Sequence, residues 1–328
     1  MDIRALSADG FGEVYRATDR RSGEHVAVKR LGELFSGDGS ETRRVVRELR
    51  LLRLLRHENI IALHDVVLGG PNRATFSELY VATPLLATDL HCVIRSGRVL
   101  LEAHLQTFVY QILRALKYLH SAGVLHRDLK PANVLVATNC DVKLCDFGNS
   151  RPLASSSQLR MTATGLTTTL HYRAPEGLRG DDDYSASFDL WSAGCVLAEL
   201  CLRRPLFAEP DEDAMLERIA AVLGADDGGL EARAARLGAA VQRPPTDALV
   251  DLLARLLAIE ATQRATATSA LAHAFFAHLA DASDEPVCSD GGGGGAFDES
   301  ALASASQAEL RALILAEVDA GAHARQQQ

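Results

Sequence analysis

Apolar and polar positions change their rhythm partway along the chain. Residues 11–31 alternate small polar and β-branched residues, with Val14, Tyr15, Val26, Ala27 and Val28 on either side of an Arg20–Glu24 turn. That alternation predicts a β-hairpin. From Glu41 to Leu55 the apolar set Val45, Val46, Leu49, Leu52 and Leu55 recurs at helical spacing, which predicts an amphipathic helix. Two short strands are expected next, Ile60–Val67 and Leu79–Thr83, leading to a linker at Pro84. Beyond it the pattern is mostly helical, over Leu105–His120, Phe188–Leu202, Ala214–Leu223 and Ala248–Leu257. A small β-rich part therefore precedes a larger α-rich part, an α+β arrangement expected to form two lobes with a cleft.

Residues 281–297 break this rhythm with Asp and Ser followed by five glycines, Gly291–Gly295, the composition of a flexible tether. Past the tether, Ser306 and Glu309 form a capping-box pattern ahead of Leu310, Leu313, Ile314 and Val318. A short amphipathic helix is expected there, one that needs a surface to pack on.

Composition narrows the picture. Hydrophobic residues make up 47% of the 328 and charged residues 23%, enough apolar material for a true core. The formal charge of −9 argues against nucleic acid as a partner, since phosphate contacts need clustered Lys and Arg. Charges at Asp2, Arg4, Asp9 and Glu13 exclude a secretory apolar segment from the first twenty residues, and no apolar run is long enough to span a bilayer. Six cysteines (Cys92, Cys140, Cys145, Cys195, Cys201, Cys288) show no zinc spacing. They are expected to be free, buried thiols in a cytoplasmic or nuclear protein.

The candidate chemistry lies in two strings. His126-Arg127-Asp128-Leu129-Lys130-Pro131-Ala132-Asn133 ends thirteen residues before Asp146 of Asp146-Phe147-Gly148. Phosphoryl transfer needs positioning more than covalent help: a base, cations and a phosphate clamp. Asp128 is placed to take the substrate hydroxyl proton and Lys130 to neutralise the phosphoryl group. Asn133 and Asp146 offer the oxygen donors that Mg²⁺ prefers.

With these two motifs the chain resembles the protein kinases, and further residues extend the likeness. Lys29 in Val26-Ala27-Val28-Lys29 resembles the strand lysine that holds the nucleotide phosphates, and Glu48 its ion-pair partner. Ala174-Pro175-Glu176 closes the activation segment, Arg264 resembles the partner of Glu176, and Asp189 the anchor beneath the catalytic loop. Lys130 points to serine/threonine substrates. For ATP, the resemblance implies contacts at Leu6, Gly10, Gly12, Val14, Ala27, Lys29, Thr83 (gatekeeper), Leu86 (hinge), Asp89 (ribose) and Leu135. Pro84 replaces an acidic hinge residue, but its carbonyl survives.

Within the kinases the mitogen-activated protein (MAP) kinase family is the nearest likeness, through TDLHCVI, YQILRALKYLHSAGVLHRDLKP and CDVKLCDFG. The likeness covers essentially the whole chain. It implies an N-lobe over 1–83, a hinge over 84–88, a C-lobe over 89–280, and a docking segment, Gly linker and C-terminal helix over 281–328. Asp281, Asp284 and Glu285 resemble the acidic site that captures basic docking peptides of upstream kinases, substrates and phosphatases. Phe297-Asp298 and the helix after Glu309 resemble the family's C-terminal extension. A monomer with no nucleic-acid or membrane partner is expected.

Three departures stand out. Ser7 and Asp9 replace glycines of the phosphate loop, which is expected to weaken ATP binding. Thr164-Gly165-Leu166 stands where the family has Thr-X-Tyr, and Leu170 replaces the arginine that would pair with the phosphotyrosine. Tyrosine phosphorylation is thus expected to play no part, whereas Thr164 retains an arginine cage from Arg44, Arg47, Arg127 and Arg151. Third, the segment between Leu223 and Asp247 is shorter and richer in Ala and Gly than the family's insert. Arg173 is associated in this kinase group with proline after the target residue. The competing readings are a cyclin-dependent or nemo-like kinase, and a pseudokinase that gathers partners through the acidic site without catalysis.

Overall fold

The computed structural model describes residues 4–9, 12–153, 170–181, 185–224, 229–241, 245–288 and 299–326. Its contacts divide the chain into two units. One comprises Met1–Ala87, Asp146–Asn149 and Phe297–Gln328; the other comprises Thr88–Cys145 and Ser150–Ala296. The pairing of a β-sheet with one helical extension, followed by a mostly helical body, is the bilobal α+β fold of protein kinases.

The first unit is built on an antiparallel sheet of β1 (Arg4–Asp9), β2 (Gly12–Thr18), β3 (His25–Leu31), β4 (Asp65–Gly69) and β5 (Glu78–Pro84), in the order β1-β2-β3-β5-β4. The hairpin expected around Arg20–Glu24 is β2–β3, which pairs Val14 with Lys29. The strand expected over Ile60–Val67 starts only at Asp65. Ile60 and Ile61 are buried, but the Ile60 N–H is spent on the His57 carbonyl at 3.1 Å in a turn. Burial there needs no ladder. Nor does β5 stop before Pro84, which pairs with Val26.

Helix α1 (Ser40–Leu54) turns Val45, Val46, Leu49 and Leu52 inward, as its periodicity requires. Gly39 precedes it at φ +79°, where a Cβ would stand 3.3 Å from Leu310 Cδ1, so a bare backbone lets the C-terminal segment come close. That segment is α10 (Glu299–Ser304) and α11 (Gln307–Gln326); α11, at 20 residues, exceeds the short helix expected. Leu310, Ile314 and Val318 are buried where α11 lies against α1 and β4. Arg311 stacks 3.7 Å from the Phe35 ring and donates to the Phe76 carbonyl at 2.5 Å. Buried Glu317 accepts from Arg50 at 3.1 Å and Arg53 at 2.6 Å.

The second unit opens with β6 (Thr88–Asp89), α2 (Leu90–Arg95) and α3 (Glu102–Ser121). It continues with β7 (Val124–Leu125), β8 (Val134–Val136), β9 (Val142–Leu144) and β10 (Arg151–Pro152). Small sheets β6-β8-β9 and β10-β7 frame the catalytic string. Then come α4 (Pro175–Leu178), α5 (Ser187–Leu202), α6 (Glu212–Leu223), α7 (Gly229–Ala240), α8 (Asp247–Leu256) and α9 (Ala267–Leu271). Buried on almost every side, α5 comes close to α8 at Gly194, where a Cβ would meet Leu257 at 2.8 Å. Helix α7 was not expected from its Ala- and Gly-rich sequence. It buries Leu237 and Arg233, whose Nη1 donates to the Ala254 carbonyl at 2.8 Å.

The cysteines are free, but only Cys195 and Cys201 are buried. Cys92 is exposed, because α2 turns Leu90 and Ile94 inward and Cys92 falls on the opposite face. The expectation of six buried thiols is corrected accordingly. Among the described residues no helix is long and apolar enough to cross a membrane.

Candidate active site

In the second unit the catalytic string is held from below by Asp189, on the first turn of α5. Its carboxylate accepts from the backbone N–H groups of His126 (2.9 Å) and Arg127 (2.8 Å), and from His120 Nε2 (2.9 Å). Burial opposes its charge, but these donors prevail and hold the carboxyl below the usual range. Arg127 sits in the left-handed region at φ +66°. This non-glycine strain is tolerated because both flanking peptides are pinned. His126, fully buried, reaches the Cys145 carbonyl at 3.1 Å and receives the Asp128 N–H on Nδ1 at 3.3 Å.

These constraints converge on Asp128. Its Oδ2 lies 3.0 Å from Lys130 Nζ and 3.3 Å from Asn133 Nδ2, and its carbonyl accepts from the same amide at 2.8 Å. Asn133 stands on a 3₁₀ turn begun by Pro131. With its nitrogen committed to Asp128, its carbonyl oxygen is turned the other way. Leu135 lies on β8 opposite Asp89, whose Oδ1 accepts the Cys92 N–H at 2.7 Å and caps α2.

Within the first unit, Lys29 on β3 meets Glu48 on α1 at 3.2 Å. Burial pushes the Glu48 carboxyl up, with Lys29 opposing and Asp146 adding to the rise. Asp146, like Arg127, is left-handed, at φ +64°. Ala27 pairs with Thr83 and Val14 with Lys29, placing three of the expected adenine contacts on neighbouring strands. Leu86 follows β5, half-buried. In β1 the register shifts between Ala5 and Ser7, at Leu6; Ser7 and Asp9 are ladder residues, with Asp9 opposite Gly12. Gly10 lies outside the described residues.

The chain matches the protein kinase domain over residues 3–276. It is 40% identical over 302 residues to mitogen-activated protein kinase 1 of Oryza sativa subsp. japonica, covering 88% of this chain and 74% of that one. Mitogen-activated protein kinase 3 of Arabidopsis thaliana is likewise 40% identical, over 87% of this chain and 80% of its own. The chain belongs to the MAP kinase family. It is a serine/threonine protein kinase, an ATP-binding transferase of signal transduction.

The remaining residues expected of this MAP kinase are distributed unevenly. Glu176 is clamped by Arg264 through two bonds of 2.7 and 3.0 Å, with the guanidinium 5.1 Å over Trp191. Arg44 pairs with Glu41 at 3.2 Å, and Arg151 donates to the Ser150 carbonyl at 2.8 Å. Thr164 and Leu166 lie outside the described residues. Arg47 departs from expectation: it is buried, its Nε donates to Glu299 Oε2 at 3.1 Å and its Nη2 bonds the other oxygen, while Nη1 donates to the Gly148 carbonyl at 2.6 Å. The guanidinium expected in the phosphothreonine cage is held here by the Glu299 carboxylate. Glu299 went unnoticed in the sequence, where only its position beside Phe297-Asp298 marked it.

The acidic segment divides similarly. Asp281 and Asp284 are exposed, Asp284 lying 3.2 Å from Arg114. Glu285 faces inward, bonded to Lys117 (2.8 Å) and the Tyr110 hydroxyl (3.0 Å). It ties the segment to α3 instead of facing solvent.

Proposed function

We propose that this kinase transfers the γ-phosphoryl group of ATP, in the presence of Mg²⁺, to serine or threonine hydroxyls followed by proline. The observation that carries the reading is the Asp128 carboxylate, held in place and flanked by Lys130 and Asn133. Asp128 accepts the hydroxyl proton as the substrate oxygen bonds to phosphorus and the bond to ADP breaks. Lys130, on the same carboxylate, balances charge on the transferred group. The donors suit a hard cation: the side-chain carbonyl oxygen of Asn133 and the Asp146 carboxylate are the proposed Mg²⁺ ligands, and the ion when bound would neutralise phosphate charge. Lys29, fixed by Glu48, orients the phosphates. For ATP the proposed contacts are Val14, Ala27, Leu135 and Thr83 to the base, a backbone donor at Leu86, and Leu6, Gly10, Gly12 and Asp89 for the rest of the nucleotide.

Thr164 is the regulatory phosphorylation site in this reading, answered after phosphorylation by Arg44, Arg47, Arg127 and Arg151. Asp281, Asp284 and Glu285 offer negative charge to basic docking peptides of upstream kinases, substrates and phosphatases, with Glu285 also bonded to Lys117. The kinase acts as a monomer in the cytoplasm or nucleus.

The test is phosphate transfer from ATP/Mg²⁺ to a generic basic protein and to Ser-Pro and Ser-Ala peptides, before and after incubation with an upstream kinase. Wild type is expected to be active and to prefer Ser-Pro, with Asp146→Ala inactive and Thr164→Ala not activated. An inactive wild type that fails to bind ATP would overturn the reading.

A further inference from the structure

We infer that Glu212, on the first turn of α6, is a positioning residue that sets which residue this kinase accepts after the target serine or threonine. The inference rests on the proposed role of Arg173 in that subsite. The Arg173 side chain is only 7% exposed, and its Nη1 donates to Glu212 Oε1 at 2.6 Å. Its backbone N–H is fixed to the Leu170 carbonyl at 3.0 Å, and its stem runs beside α4, where a Cβ on Gly177 would lie 3.3 Å from Arg173 Cγ. The guanidinium therefore has its base set by α4 and its head set by α6.

Glu212 is well suited to that task. Asp211 caps α6 by accepting the Ala214 N–H at 2.9 Å, and the helix N-terminus favours a carboxylate in the turn that follows. The Glu212 side chain is 53% exposed, so the pair is closed on the protein side and open to solvent. The Glu176–Arg264 pair nearby is sealed, with Arg264 fully buried, and is only a strut. Neighbouring Tyr172 is committed elsewhere, its hydroxyl donating to Glu199 at 2.7 Å. A negative charge 2.6 Å from the guanidinium cancels much of the positive potential Arg173 would present. An acidic residue after the target then gains nothing by approaching, and the subsite selects for an uncharged residue that fits the fixed stem. No catalytic or nucleotide-binding role falls on Glu212; it acts through Arg173.

The experiment measures kcat and KM for Ser-Pro, Ser-Ala and Ser-Glu peptides with activated wild type, Glu212→Gln, Glu212→Ala and Glu212→Asp. Glu209→Ala, on the neighbouring loop, serves as the control. Wild type should use Ser-Glu poorly. In the Gln and Ala variants, kcat/KM for Ser-Glu should rise about tenfold as the potential turns positive, while KM for Ser-Pro rises and its kcat holds. Asp should restore much of the wild-type pattern and Glu209→Ala should not disturb it. A merely structural loss would lower all three peptides together, so an unchanged or uniformly reduced profile overturns the inference. If wild type shows no preference for Ser-Pro over Ser-Ala, the proline reading falls, and the Ser-Glu comparison still decides whether Glu212 governs charge at this subsite.

Discussion

Arg47 and Glu299 are the residues whose loss should be felt most sharply outside the catalytic string. Both are buried and joined by two hydrogen bonds, and Arg47 also holds the Gly148 carbonyl. Removing one member of such a pair strands a charge in a poorly solvating place, at a cost of about 3–5 kcal/mol. Glu299→Ala is therefore expected to lower the urea midpoint strongly, and replacing both with apolar residues should cost much less. Equal losses in the single and double variants would refute this. Asp189 makes a pH-dependent counterpart. Its carboxyl is held below the usual range in the folded state, so its stabilisation is complete above about pH 3.9 and is lost as pH falls through the folded value. Asp189→Asn should be less stable at neutral pH and show a flatter acid limb, checked by denaturant melts across pH.

At the scale of elements, α11 shows how far a local pattern reaches. The capping box is present: Ser306 N–H donates to Glu309 at 2.7 Å and Glu309 N–H to Ser306 Oγ at 3.4 Å, and Leu310, Ile314 and Val318 form the buried face. Ile314→Ala should then cost about 2–5 kcal/mol, read as a lower thermal midpoint. A loss below about 1 kcal/mol would mean the helix is only loosely seated. The helices α1, α3, α5, α6 and α8 were likewise legible from their apolar positions, and α6 and α8 also from the local caps Asp211 and Thr246. What escaped were the distant pairings that no motif marks. Arg47 and Glu299 are 252 positions apart, and Lys117 and Glu285 are 168 apart. No periodicity carries either pairing. Ile60 and Ile61 misled because a buried apolar pair with a single β-bridge at Ile60 reads the same as a strand. The left-handed backbone at Arg127 and Asp146 has no compositional signal, since neither position is glycine.

For the molecule as a whole, the motifs fix the family and the order of elements, but not which segments share a unit. The first unit is assembled from three separated stretches of chain. Removal of residues 297–328 would strip Glu299 from Arg47, Glu317 from Arg50 and Arg53, and the aliphatic cover from α1. Amide hydrogen exchange in α1 is expected to quicken markedly in such a truncation while α5 stays protected; equal protection of α1 in both forms would count against it.

The same discontinuity bears on synthesis. The sheet and α1 leave the ribosome long before the segment that covers them. At about 5–20 residues per second, some 210 intervening residues take about 10–40 seconds to translate. Through that interval the nascent chain carries the uncovered face of α1 and a buried-type arginine without its carboxylate. The N-terminal unit, although made first, cannot mature first, which makes it a natural client for chaperones that shield apolar helix faces until Glu299 and α11 arrive.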